Sequence, residues 1–178
     1  RGRNTGGIAG SSSGTIKNCT FEGNVQGAES VGGIVGVQTG GSITRCSSQV
    51  EVSGTGNDAG GVLGKGNGGR TQLCSSEGSV SGGTGTCGGV AGYLNGTSVS
   101  NCYSKADVST TGANIGGIIG GIDGNSPARF CYATGSITNS GTGNEGGAVG
   151  WNRAGAVSDC YYNSDNYSGA AIGSNESG

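Results

Sequence analysis

Apolar residues along this chain come in short islands that recur about every 28 positions. Each island is two residues long and framed by glycine. The six copies are Gly6-Gly7-Ile8-Ala9-Gly10, Gly32-Gly33-Ile34-Val35-Gly36, Gly60-Gly61-Val62-Leu63-Gly64, Gly88-Gly89-Val90-Ala91-Gly92, Gly116-Gly117-Ile118-Ile119-Gly120 and Gly146-Gly147-Ala148-Val149-Gly150. An island this short cannot make a helix and reads as a strand bounded by turns. A dozen residues later a second pattern follows, in which inward and outward positions alternate from a cysteine. After Cys46, Ser48, Val50 and Val52 share its face, and Ser47, Gln49, Glu51 and Ser53 oppose it. After Cys102 the inward set is Ser104, Ala106 and Val108, and after Cys131 it is Ala133, Gly135 and Ile137. Every charge in these stretches falls on the outward face, as expected of half-buried strands. The inward residues are small, which predicts a narrow core with closely opposed walls.

One such unit cannot bury its own apolar face, but a stack can, through parallel pairing at about 4.8 Å. The pattern therefore predicts an all-β fold: a parallel β-solenoid of about six rungs of about 28 residues, two or three short strands in each. The rule for parallel crossovers makes it right-handed. Residues 1–178 read as one repeat domain, with rungs starting near 6, 32, 60, 88, 116 and 146 and a partial rung from 169. An aliphatic lies three positions before most of the cysteines (Ile16, Ile43, Val99, Val157), an odd spacing that calls for a bend or bulge in between. Neither end shows the polar cap that repeat arrays usually carry. The chain is thus expected to continue in a longer array or to stack end to end.

Cys19, Cys46, Cys74, Cys102, Cys131 and Cys160 are spaced by 27, 28, 28, 29 and 29 residues and should form a ladder. Two readings stand: buried thiols acting as small hydrophobes, or disulfide staples. In-register side chains sit about 4.8 Å apart, whereas a disulfide wants Cβ atoms near 3.8 Å, so bridging needs local distortion. Cys87 lies outside the ladder, aligned with Thr5, Val31, Ala59, Ile115 and Glu145. It is either free or reaches across to Cys74 or Cys102. Cys-x-x-Cys clusters are absent, so no metal site or cofactor is expected.

Three further columns bear on function. Tyr103, Tyr132 and Tyr161 follow successive cysteines and should form an aromatic ladder, which either stabilises the stack or, with Tyr162 and Trp151, stacks on sugars. Val35, Leu63, Ile119 and Val149 would face outward under strict alternation, covered by the chain's own loops or forming a lateral interface between solenoids. Gln26, Ser53, Ser81, Ser109 and Thr138 make a polar column, mostly Ser, so ice binding is a minor alternative.

Composition narrows the field. Of 178 residues 44 are Gly and one is Pro, without the glycine period of collagen. The net charge is −2, with no basic stripe for nucleic acid and no run able to insert in a membrane. No Met is present and the sequence starts at Arg1, as expected of a processed chain, an excised domain or part of something longer. His is absent, which removes the commonest general base and zinc ligand. Glu22, Glu51, Glu77 and Asp107 occupy outward strand positions and read as a solvated face, so catalysis is not expected. Among four Asn-x-Ser/Thr sequons, Asn95 and Asn166 fall in predicted loops and are the better glycosylation candidates, ahead of Asn18 and Asn175.

Gly32-Gly33-Ile34-Val35-Gly36, Gly116-Gly117-Ile118-Ile119-Gly120 and Cys131-Tyr132-Ala133-Thr134-Gly135-Ser136-Ile137-Thr138 resemble the GLUG-motif repeats, from Thr5 to about Ala171. The resemblance implies a non-catalytic region of a secreted or surface protein, such as a bacterial adhesin or an immunoglobulin-A-cleaving metallopeptidase, without its His-Glu-x-x-His. It carries over no residue-level site. The expectation is an extracellular or cell-surface structural and adhesive module, self-associating end to end or continuing in a longer chain. The alternative is a wall that binds glycans or ice.

Overall fold

The computed structural model describes residues 2–176; Arg1 and Ser177, the last residue of the Asn175 sequon, lie outside them. The described residues form a parallel β-solenoid of six turns and contain no helix. Each complete turn crosses four sheets, one or two more than the hydrophobic pattern suggests. The second turn is typical, with strands Ser30–Gly32, Val35–Gln38, Ser42–Thr44 and Ser47–Gly54 in the first to fourth sheet. Every inter-strand pairing is parallel. Changes in repeat length fall in turns and leave the strands in register. Asn95 pairs with Asp123, 28 residues on, and Val99 with Ala128, 29 on; the extra residue sits in the turn at 124–127. A seventh strand, Ile172–Asn175, pairs with Val149–Asn152, as the partial rung predicted.

The Gly-Gly corner organises the turn. Ile34 and Val35 both donate their N–H to the carbonyl of Val62, at 3.0 Å each. Val62 and Leu63 do the same to Val90, Val90 and Ala91 to Ile118, and Ile118 and Ile119 to Ala148. Two successive N–H groups aim the same way only if the chain bends between them, so side chains stop alternating there. Both members of each pair enter the core. Val35, Leu63, Ile119 and Val149 are fully buried and pack with Ile34, Val62 and Ile118. The lateral interface expected of them is therefore corrected: the column is interior, because it begins at a corner.

Opposite this corner, Phe21, Ser48, Ser76, Ser104, Ala133 and Tyr162 align in one column. In the middle turns the small side chains press onto the glycines. The Ser48 hydroxyl donates to the Gly61 carbonyl at 2.6 Å and Ser76 to Gly89 at 2.5 Å. This contact pinches the core into two lobes. One holds the aliphatic pairs and the cysteine ladder, and the other holds Val31, Val52, Val80, Cys87, Val108 and Ile115. In the first and sixth turns the column becomes aromatic, and the rings of Phe21 and Tyr162 lie against Gly7 and Gly147. Tyr162 donates to the Gly169 carbonyl at 2.7 Å and meets the Tyr167 ring edge-on at 6.1 Å. The first and sixth turns thus carry an aromatic ring where the middle turns carry Ser or Ala.

A Cβ on Gly89 would collide with the Gly117 carbonyl oxygen and the Ser104 hydroxyl, whereas one on Gly14 would meet nothing within 4 Å. Gly89→Ala is expected to lower the unfolding free energy by about 3 kcal/mol. Gly14→Ala should change it by less than about 0.5 kcal/mol. Urea unfolding of the two variants checks this.

Asp58 is buried in the first sheet between Ser30 and Thr86, and the Thr86 hydroxyl donates to it at 2.9 Å. Burial pushes its carboxyl up, against the Thr86 hydrogen bond and the Lys65 charge. The folded state therefore holds the proton more tightly than the unfolded chain, whose Asp titrates near 4. The ionised group subtracts stability above the raised value, and that loss fades as pH falls toward about 4. Asp58→Asn should raise the melting temperature at pH 7, with a gain that shrinks on acidification. Melts at pH 7, 5 and 4 read it out.

Candidate functional site

The predicted bend before each cysteine is a single residue in the left-handed region. Asn18, Arg45, Leu73, Asn101, Phe130 and Asp159 have φ between 52° and 56°. Their N–H groups still pair with the next turn, as from Leu73 to the Ser100 carbonyl at 3.1 Å, so the ladder survives the bend. The bend turns the cysteine inward and its predecessor outward. Asn and Asp tolerate this conformation, whereas Leu and Phe carry a Cβ penalty of about 1–2 kcal/mol.

This corner collects exposed apolar surface. Of the five exposed large hydrophobics, four lie here: Leu73 at 47%, Phe130 at 58%, Tyr132 at 43% and Tyr161 at 67%. Tyr103, half-buried, completes the group. The tyrosines continue a column that begins Thr20, Ser47, Ser75, so the aromatic part occupies only the last three turns. Tyr103 and Tyr132 stack with centroids 5.1 Å apart and planes 6° from parallel. Their facing surfaces are used on each other. The Lys105 ammonium lies 5.7 Å from the Tyr103 centroid, so that ring's other face is also engaged. Tyr161 is the most exposed of the three and pairs in register with Tyr132. Phe130, Cys131, Tyr132, Asp159 and Tyr161 line an open cleft, and a second cleft on the same corner is lined by Arg45, Leu73, Asn101 and Tyr103. The alternation pattern located the tyrosines but missed Leu73 and Phe130. The available signal was an apolar residue directly before a cysteine, where the other turns have Asn, Arg or Asp.

The remaining candidates are engaged elsewhere. Tyr162 faces inward, and Trp151 is half-buried on the second sheet, where its Nε1 donates to Glu176 at 2.9 Å and the Arg153 guanidinium lies 5.6 Å from its ring. Tyr93 donates to Asp123 at 2.9 Å, Arg153 pairs with the same carboxylate, and Lys65 lies 5.2 Å from the Tyr93 ring. This network ties the third to the seventh strand of the second sheet. The outward carboxylates split between columns: Glu22 and Glu77 align with Gln49, and Glu51 with Asn24 and Ser79. Glu77 pairs with Lys105 at 2.8 Å, and Asp107 accepts from the Ser136 N–H at 2.8 Å. Gln26, Ser53, Ser81, Ser109 and Thr138 are in register, and Ser81 and Ser109 hydrogen-bond each other at 2.8 Å. Asn95 is exposed at the end of a strand, not in a loop, and Asn166 is exposed in a turn with its amide donating to the Thr134 carbonyl.

All seven cysteines are free. Cys87 is paired in register with Ala59 and Ile115, in the lobe away from the ladder, so it reaches neither Cys74 nor Cys102. Burial pushes its thiol up to about 12.

The family model for the GLUG motif matches residues 2–26 and 27–53. Residues 2–53 carry two copies of the GLUG motif. The two matched stretches are the first two turns of the solenoid, and the later turns pair with them in the same register. No curated protein matches the sequence. A crystal structure of a "putative immunoglobulin A1 protease" from Bacteroides ovatus has a similar fold, with a TM-score of 0.65 and 23% identity over 91% of this chain. This chain spans 60% of that structure's length, and at this identity the likeness concerns the fold.

Asn at the left-handed corner relieves the Cβ penalty. Phe130→Asn is therefore expected to raise stability by about 1 kcal/mol. A urea midpoint that falls would mean that the exposed ring packs against the rod.

Proposed function

We propose that this chain is a non-catalytic structural and adhesive module of an extracellular or cell-surface protein, which holds its aromatic corner toward a partner. The observation that carries this is the gathering of Leu73, Phe130, Tyr132 and Tyr161, four of the five exposed large hydrophobics among the described residues, on one edge of the rod. A β-solenoid suits the task, because its rigidity comes from backbone pairing and leaves the outer side chains free to vary. The engagement of Glu77 and Asp107 and the lack of His favour a non-catalytic role. The similar Bacteroides ovatus structure is that of a "putative immunoglobulin A1 protease", and immunoglobulin A1 is an extracellular protein, which favours the same setting here.

Carbohydrate is the partner class that fits an aromatic platform with hydroxyl and amide groups at its rim. Tyr161 is the ring most open for stacking on a sugar, with Asp159 beside it. A glycan array probed with the wild-type chain and with Tyr161→Ala tests this. The expected result is at least a tenfold loss of signal in the variant. Equal signals from both proteins would remove the glycan reading.

A second reading, end-to-end stacking into a fibre, draws on the parallel strands that end the rod. The rings of Phe21 and Tyr162 weigh against it, since a seam between two copies would have to pack ring on ring in a column where the internal turns stack Ser and Ala. Sedimentation velocity over a concentration series should give one short-rod species; growth with concentration would favour the fibre.

A further inference from the structure

The cysteine ladder is more regular than core filling requires. Each Sγ takes the same contact in every turn, against the carbonyl two residues back across the left-handed bend. The distances are 3.4 Å at Cys19 and Cys46, 3.2 Å at Cys74, Cys102 and Cys131, and 3.4 Å at Cys160. The six thiols therefore point one way and form a single file along the rod. Several also approach a carbonyl of the preceding turn: Cys46 that of Ile16 at 3.8 Å, Cys74 that of Ile43 at 3.6 Å, Cys102 that of Thr71 at 3.8 Å and Cys160 that of Ala128 at 3.6 Å.

Among the described residues, no three Cys, His, Asp or Glu side chains converge on a point that could hold a metal ion. Tetrahedral and octahedral sites are thus excluded there. What the file offers is pairs of soft donors stacked one above the other along the axis. Two metal–thiolate bonds of about 2.3 Å laid end to end span about 4.6 Å. The turns repeat at about 4.8 Å. A linear, two-coordinate ion fits that gap without moving the backbone, whereas a disulfide needs the turns drawn together. Linear coordination by two thiolates is the habit of closed-shell, soft, monovalent cations, and thiolate softness selects the same ions.

We propose that the cysteine ladder binds soft monovalent cations, Cu(I) above all, each held between the thiolates of two successive turns. Three ions fill the file, at Cys19 with Cys46, Cys74 with Cys102, and Cys131 with Cys160. Each ion forms two Cu–S bonds and displaces two thiol protons to solvent. No electron is transferred, and each site gains one net negative charge. Ions have a way in, because the two clefts of the aromatic corner are lined by Cys46 and Cys74 and by Cys131. Cys87 stands alone in the other lobe and takes no part.

The test is an anaerobic titration of the reduced, metal-free chain with Cu(I) in acetonitrile-containing buffer, with bicinchoninate as competitor and thermal melts alongside. Three ions per chain are expected. The melting temperature should rise by about 5–10 °C, since the ordered file binds more tightly than the unfolded thiols. Zn(II) should produce no rise. Cys87→Ala should keep three ions, and Cys102→Ala should lose one. A fall in melting temperature with Cu(I), or an unchanged count in Cys102→Ala, overturns the proposal. Should Cys102→Ala fail to fold, copper X-ray absorption on the loaded wild-type chain decides. Two sulfur neighbours per ion support the site, and three or four overturn it. A ladder isolated as disulfides, read as fewer than seven alkylated cysteines without reductant, also overturns it.

Discussion

The fold hangs on one backbone arrangement, the corner at which two successive N–H groups of one turn share a single carbonyl of the next. That geometry brings the chain within collision distance of its neighbour turns, and only glycine tolerates it. The Gly-Gly pairs are therefore steric necessities, and the richness in glycine follows from stacking six such corners. The same corner sets the cross-section. Because the opposite wall presses Ser48, Ser76 and Ser104 onto the glycines, the interior divides into two narrow lobes that small and β-branched residues can fill. Among the described residues, large side chains enter the pinch only at Phe21 and Tyr162, in the first and sixth turns.

Much of this was legible in the sequence. The period, the parallel stack and the inward faces after Cys46, Cys102 and Cys131 follow from simple alternation, and the alignment of Cys87 with Val31, Ala59 and Ile115 holds residue for residue. Alternation fails where the chain turns a corner, which is why Val35 and Leu63 seem to face solvent when read as strand residues. The rings of Phe21 and Tyr162 escaped notice for a different reason: they stand in a column that is Ser or Ala in the other turns, and the column's place against the glycines is not visible in the alternation. Leu73 and Phe130 were missed because a bend residue is usually read for its backbone conformation, not for what its side chain presents.

The two aromatic groups of the outer surface illustrate how similar residues divide between structure and recognition. On the second sheet, Tyr93 and Trp151 are committed: each has its polar atom bonded and a cation near its ring. At the bend corner, the rings become progressively less engaged toward the last turn, from Tyr103 to Tyr132 to Tyr161. The difference lies in hydrogen-bond partners and not in residue type, so composition alone could not have separated them.

Because each complete turn touches only the turns beside it, and because pairings are offset by whole repeats, the gene can change length without redesign. An internal turn could be duplicated or lost by recombination between repeats, and every surviving interface would still be of a kind already present. In this architecture rod length is an evolutionary variable, set by the number of repeats and not by the design of any one turn.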